Sequence, residues 1–271
     1  GLNIVNVEDV AEGHLLAEEK GRVGERYILG NHNLSWRAFI RGVARVAGVN
    51  PPRLRLPGLV AEGMAVAVTA RDKQKLKRAE KQLEGKGGKV VAVSADVSVA
   101  RQVTAFVEQV EDTLGRIDLL VNNAGIAKFN SIEALSEDDW DETQRINLKG
   151  AFLCTKAVLP IMQRQRSGYI VNIASVAGKS GFGEASAYCA SKFGMIGLTE
   201  SLLEESIQHN IRATAICPGY VATPMVRGVS VPQEEMIPPE DIGKLIVGLL
   251  HLSPLTVIKE IVVNRKGSVG D

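Results

Sequence analysis

The chain has 271 residues, enough for one large α/β domain or two small ones with a buried core. Its 45% hydrophobic and 23% charged content is ordinary for a soluble globular protein, and a net charge of +1 makes no case for nucleic acid or an anionic membrane. Cys154, Cys189 and Cys217 show neither metal nor CxxC spacing, no apolar run approaches transmembrane length and no signal peptide opens the chain; a cytoplasmic protein without a metal is expected.

The first 57 residues mix patterns. Residues 3–7 are followed by a helical pattern over 9–20 that ends near Gly21, and residues 25–30 read as a strand. Residues 35–47 place Trp36, Phe39, Ile40, Val43 and Val46 on one helical face, with Ser35 as a candidate N-cap. Residues 49–58 hold Pro51, Pro52 and Pro57 without periodicity, as a linker or irregular loop does. From residue 64 the pattern becomes regular. Strands are expected over 64–69, 89–95, 117–122, 169–174, 212–217 and 259–263, apolar on successive positions as strands covered on both faces are. Between the second and third, Val99, Val103, Phe106, Val107, Val110 and Leu114 form a helical stripe. Another helix opens at Ser136, with Asp139 three residues on. Such alternation predicts βαβ units in an α/β, Rossmann-like, doubly wound parallel sheet with helices on both faces.

Tyr188 and Lys192 stand four apart on an expected helix, so the phenol and the ammonium share a face. A free tyrosine has a pKa of about 10, too high for proton exchange at neutral pH, and a nearby cation moves it toward the working range. Ser175 ends the fourth strand pattern, where open α/β sheets place their crevice, and its hydroxyl can bond a substrate carbonyl. Asn147 lies inside a helical pattern that it does not favour, which a buried polar contact or a function would explain. Asn122, Asn123, Ala124 and Gly125 close the third strand, and Pro218, Gly219 and Thr223 follow the fifth. Asp96 follows the second strand, and Arg71 follows the first, where an arginine can meet a ribose 2′-phosphate or be merely solvated. His14, His32, His209 and His251 are dispersed and read as surface or loop residues.

Over about residues 58–271 these elements, in this order, resemble the short-chain dehydrogenase/reductase family, classical type. The resemblance implies that Tyr188 is the general acid/base, that Lys192 lowers its pKa and binds the nicotinamide ribose, that Ser175 orients the carbonyl, and that Asn147 holds a relay water. It places Pro218, Gly219 and Thr223 at the nicotinamide end, and Asp96 with Asn122, Ala124 and Gly125 around the adenosine. With Arg71, it implies NADP(H) rather than NAD(H). It also implies a small carbonyl or alcohol substrate, and a homodimer or homotetramer formed through the helices after Ser136 and around Tyr188.

The N-terminal part departs from that family. A glycine-rich turn, whose backbone approaches the pyrophosphate, is expected near residues 46–52; only Gly48 is there, among prolines that lack an N–H. Residues 1–57 instead resemble the C-terminal part of extended short-chain dehydrogenases, the hopanoid-associated sugar epimerase and dihydroflavonol-reductase-like enzymes. The chain therefore reads as a fusion near residue 57. Without a central first strand, its neighbours would carry unpaired backbone groups at about 1–3 kcal/mol each. Residues 25–30 are expected to fill that gap, with 43–48 as the rival. The expected function is an NAD(P)(H)-dependent oxidoreductase interconverting a carbonyl and a secondary alcohol, the alternative being a non-catalytic or cofactor-impaired fusion that keeps the reductase fold.

Overall fold

A computed structural model describes residues 65–84, 89–226 and 229–268. Six strands alternate with helices. β1 (Val66–Ala70) runs through helix α1 (Lys73–Glu84) to β2 (Val90–Ser94), and the two strands pair in parallel from Val66 opposite Val90 to Ala70 opposite Ser94. Helix α2 (Ala100–Leu114) leads to β3 (Leu119–Asn122) and stops at Gly115, whose positive φ of 77° turns its N–H back to the Glu111 carbonyl. The expected stripe is its buried face, with Val103, Val107 and Val110 inside.

Helix α3 (Glu137–Gln144) begins where the sequence predicts, the Ser136 hydroxyl accepting from the Asp139 N–H at 3.1 Å. A π turn, Arg145–Lys149, joins it to α4 (Gly150–Gln165). Then come β4 (Gly168–Ile173), α5 (Ser186–Ser206), β5 (Ile211–Pro218), α6 (Pro239–Leu250) and β6 (Glu260–Val263). Strands β3, β4, β5 and β6 pair in that order, all parallel.

Side-chain alternation along β4 sorts the core into two layers. Ile170 faces Val103, Val107, Val158 and Leu202 from α2, α4 and α5, whereas Tyr169 and Val171 face Ile242, Ile246 and Leu249 of α6. Each such side chain taken fully out of water contributes roughly 1.5–3 kcal/mol, so β4 and β5, buried almost throughout, anchor the sheet. All six strands lie within two residues of their expected spans. Among the described residues no strand lies between β1 and β3, and no helix is long and apolar enough to cross a membrane. The placements expected for 1–57, including 25–30 and 43–48, lie outside the described residues.

Candidate active site

The carboxyl ends of the strands carry the chemistry, as in other open α/β sheets. Ser175 follows β4 and caps the short turn Val176–Gly178: its hydroxyl accepts from the Ala177 N–H at 3.1 Å and donates to the Pro218 carbonyl, at the end of β5, across 3.4 Å. The second contact is near the outer limit of a hydrogen bond, so the hydroxyl can turn to a stronger acceptor. Gly178 lets this turn press on α5, because an added Cβ would come within 2.7 Å of the Lys192 carbonyl oxygen. The Lys179–Glu260 ion pair, 2.9 Å, ties the end of the turn to β6.

Tyr188 and Lys192 occupy one face of α5. The Lys192 Nζ sits 5.5 Å from the centre of the Tyr188 ring and donates to the Ile173 carbonyl at 2.7 Å. Lys192 is only 5% exposed, and burial lowers its ammonium to about 8. The phenol behaves differently from the sequence-based expectation. Burial raises the Tyr188 pKa above its ordinary value, and bonding to the Ser175 hydroxyl opposes that shift. Phe129 lies beside the phenol, its ring centre 6.4 Å away and tilted 51°, and is half exposed.

Asn147 falls in the π turn and is fully buried. Its Oδ1 accepts from the Ile126 N–H (2.8 Å), and its Nδ2 donates to the Ile126 carbonyl (2.9 Å) and the Ser191 hydroxyl (3.0 Å). Both amide protons are spent, so a water relayed at this residue would have to use its main-chain carbonyl. Gly125 lies against the same carboxamide, a Cβ there reaching Oδ1 at 3.4 Å.

Asp96 accepts from the Ser98 N–H and hydroxyl at 2.9 and 2.6 Å, and Arg145 donates to that hydroxyl at 2.8 Å. Burial pushes the Asp96 carboxyl up, but the Ser98 donors with Arg71 and Arg145 outweigh it and hold the group below its ordinary value. Arg71 reaches Asp96 at 3.9 Å and Glu142 at 3.8 Å, with its side chain half exposed. Asn122 has its side chain turned into the core, both amide protons given to Asn172 and Thr155. Its Oδ1 and its main chain are left for an adenosine. Gly219 donates its N–H to the Val263 carbonyl, and Thr223 follows the Val221–Ile237 bridge. Ala124 and Gly125 stand in the loop after β3.

Spacing alone missed several residues that hold these groups. Asn172 was legible as a polar residue inside an apolar strand; it links Asn122 to Thr199 of α5. Gln144, Ser191, Glu142 and Gly178 carry no such mark.

The described residues fit the two ends of a nicotinamide dinucleotide. A half-exposed guanidinium held only by long contacts suits a phosphate near Asp96, and Ser175, Tyr188 and Lys192 converge at the carboxyl ends of β4 and β5. The turn that would meet the pyrophosphate lies outside the described residues. Among those residues, no cluster of three or more His, Cys, Asp or Glu side chains could hold a metal ion.

The profile of the short chain dehydrogenase family matches residues 57–234. The sepiapterin reductase of Chlorobaculum tepidum is 35% identical over 208 residues, 76% of this chain and 85% of that one. The 3-oxoacyl-[acyl-carrier-protein] reductase FabG of Thermotoga maritima is 42% identical over 164 residues, 60% of this chain and 67% of that one. A metagenomic short-chain oxidoreductase solved in complex with NADP superposes with a TM-score of 0.66 at 33% identity, covering 75% of this chain and 86% of its own. Profile, relatives and fold agree, and the chain belongs to the short-chain dehydrogenase family of NAD(P)-dependent oxidoreductases.

Proposed function

We propose that the protein is an NADP(H)-preferring reductase that converts a carbonyl compound to a secondary alcohol. The observation that carries this reading is the convergence of Ser175, Tyr188 and the buried Lys192, its ammonium beside the phenol ring. Bound at this crevice, the nicotinamide supplies the hydride. Ser175 bonds the substrate oxygen, and Tyr188 holds the proton that this oxygen receives. A phenol raised by burial is protonated at neutral pH, which favours reduction. The reductive rate should therefore stay level through neutral pH and fall only in the alkaline range, where the phenol loses its proton. Arg71, half exposed beside Asp96, supports the 2′-phosphate preference, as does the NADP held by the metagenomic relative. The half-exposed Phe129 and Phe182, on loops joined by the Asn130 N–H and the Glu184 carbonyl at 2.8 Å, support a substrate with an apolar group beside the carbonyl.

The test is NADPH consumption with a panel of keto esters and aryl ketones. Tyr188→Phe should lower the rate by roughly 10²–10⁴-fold. A variant as active as the wild type would refute the assignment.

A groove lined by Gln144, Leu148, Phe152, Gly194 and Leu198, with Phe152 half exposed, supports a homodimer or homotetramer closed by a second copy of the chain. A monomer at every concentration in sedimentation would contradict it. We further infer that residues 1–57 derive from an extended relative. The rival reading, a cofactor-impaired fusion, is favoured by the missing glycine turn, and failure to bind NADPH would establish it.

A further inference from the structure

The reacting groups do not set their own positions. Helix α5 carries Tyr188 in its first turn, yet its N-cap residue, Ala185, offers no side-chain bond. The first turn is held from outside. Gln144 and Asn147 stand three residues apart, so they lie on neighbouring positions of one helical face. Both reach across to α5. Gln144 Nε2 donates to the Ala187 carbonyl at 2.8 Å. Asn147 Nδ2 donates to the Ser191 hydroxyl at 3.0 Å, and that hydroxyl donates onward to the Tyr188 carbonyl at 2.7 Å.

The two carbonyls belong to the peptide units on either side of the Tyr188 Cα. Gripping both fixes the dihedrals that aim the phenol. Ser191 is completely buried, and one turn beyond it Gly194 lies so close to the π turn that a Cβ would come within 2.7 Å of Leu148 Cδ2. Helix α5 thus packs closely on the Leu148 side chain of the π turn. Asn147 in turn holds both main-chain groups of Ile126, so loop, π turn and Tyr188 form one unit.

We propose that Gln144 and Ser191 are positioning residues of the reductase reaction, clamping the two peptide units around Tyr188 so that its phenol stays aligned with Ser175. The inference rests on the reductase reading above. Neither residue touches substrate, so loss of the clamp lowers the rate of the bound complex and not the binding. Misplacement of a reacting group by about 1 Å costs up to roughly a hundredfold.

The experiment compares Ser191→Ala and Gln144→Met with the wild type and with a core control, Val158→Ala. NADPH-dependent reduction of keto esters and aryl ketones is measured together with fluorine NMR of the 3-fluorotyrosine-labelled chain, the Tyr188 signal being assigned with Tyr188→Phe. Each clamp variant should lose roughly ten- to hundredfold in kcat with KM within about twofold. Its Tyr188 resonance should broaden or split. The control should keep both kcat and a single sharp resonance. Should the wild type reduce no carbonyl compound, the reductase reading fails, and the fluorine spectra still decide the clamp. Clamp-variant resonances that superpose on the wild type overturn it, as does an equal change in the control.

Discussion

Replacing Lys192 with Met removes a buried charge whose hydrogen-bond partner among the described residues is a main-chain carbonyl. Burial lowers this ammonium from 10.5 to about 8. Between about pH 8 and pH 10.5 the unfolded chain holds a proton at this site that the folded chain does not. The wild type therefore gains stability as pH rises through that window. Below about pH 8 both states are protonated and the full penalty stands, about 3 kcal/mol at roughly 1.4 kcal/mol per pH unit. The Met variant escapes that penalty but leaves the Ile173 carbonyl without its donor, which costs about 1–3 kcal/mol at every pH. Its stability relative to wild type should thus be lowest near pH 10.5. It should climb by about 3 kcal/mol as pH falls to 8, reaching parity or better at pH 7 while activity is lost. The buried Cys154 thiol, raised to about 11 by burial alone, titrates alike in both proteins and cancels in the difference, whereas Cys217, also raised to about 11, feels the Lys192 charge, so the difference is read below about pH 10, where that thiol stays protonated. Urea unfolding followed by circular dichroism at steps across this range reads the difference directly. A difference independent of pH would show that Lys192 folds with its ordinary basicity, and the electrostatic picture of the site would be wrong.

Two further substitutions probe the cofactor end and the turn that carries Ser175. Glu142→Gln removes one of the two carboxylates near Arg71 and should tighten NADPH about two- to fivefold without helping NADH, as calorimetry would detect; an equal gain for both would place the effect elsewhere. Gly178→Ala forces a methyl group against the Lys192 carbonyl and should cost about 1–3 kcal/mol in unfolding free energy with a fall in kcat, whereas unchanged stability would mean that the turn shifts freely.

Local pattern carried much of this molecule. Apolar runs with β-branched residues located every described strand, because β4 and β5 are buried on both faces and need no other signal. Ser136 and Asp139 announced a helix start because that cap is a contact between residues three apart. The four residues proposed for the reaction stand out through their order and spacing. What spacing hid was set by tertiary contact. The direction of the Tyr188 shift follows the burial of the phenol, which spacing along a helix does not record. Asn122 is expected beside the adenosine, but that Asn172 and Thr155 take both its amide protons is recorded in no one-dimensional pattern. Gln144 and Ser191 are ordinary helix residues until α3 and α5 are packed together.

Binding of the dinucleotide is the claim on which the rest depends, and titration of the purified chain with NADPH, with NADH in parallel and Arg71→Ala as the variant, tests it most directly. NADPH should bind more tightly than NADH, and the preference should disappear in Arg71→Ala. Absence of binding by either nucleotide up to millimolar concentration would contradict it, leaving Ser175, Tyr188 and Lys192 assembled without a source of hydride.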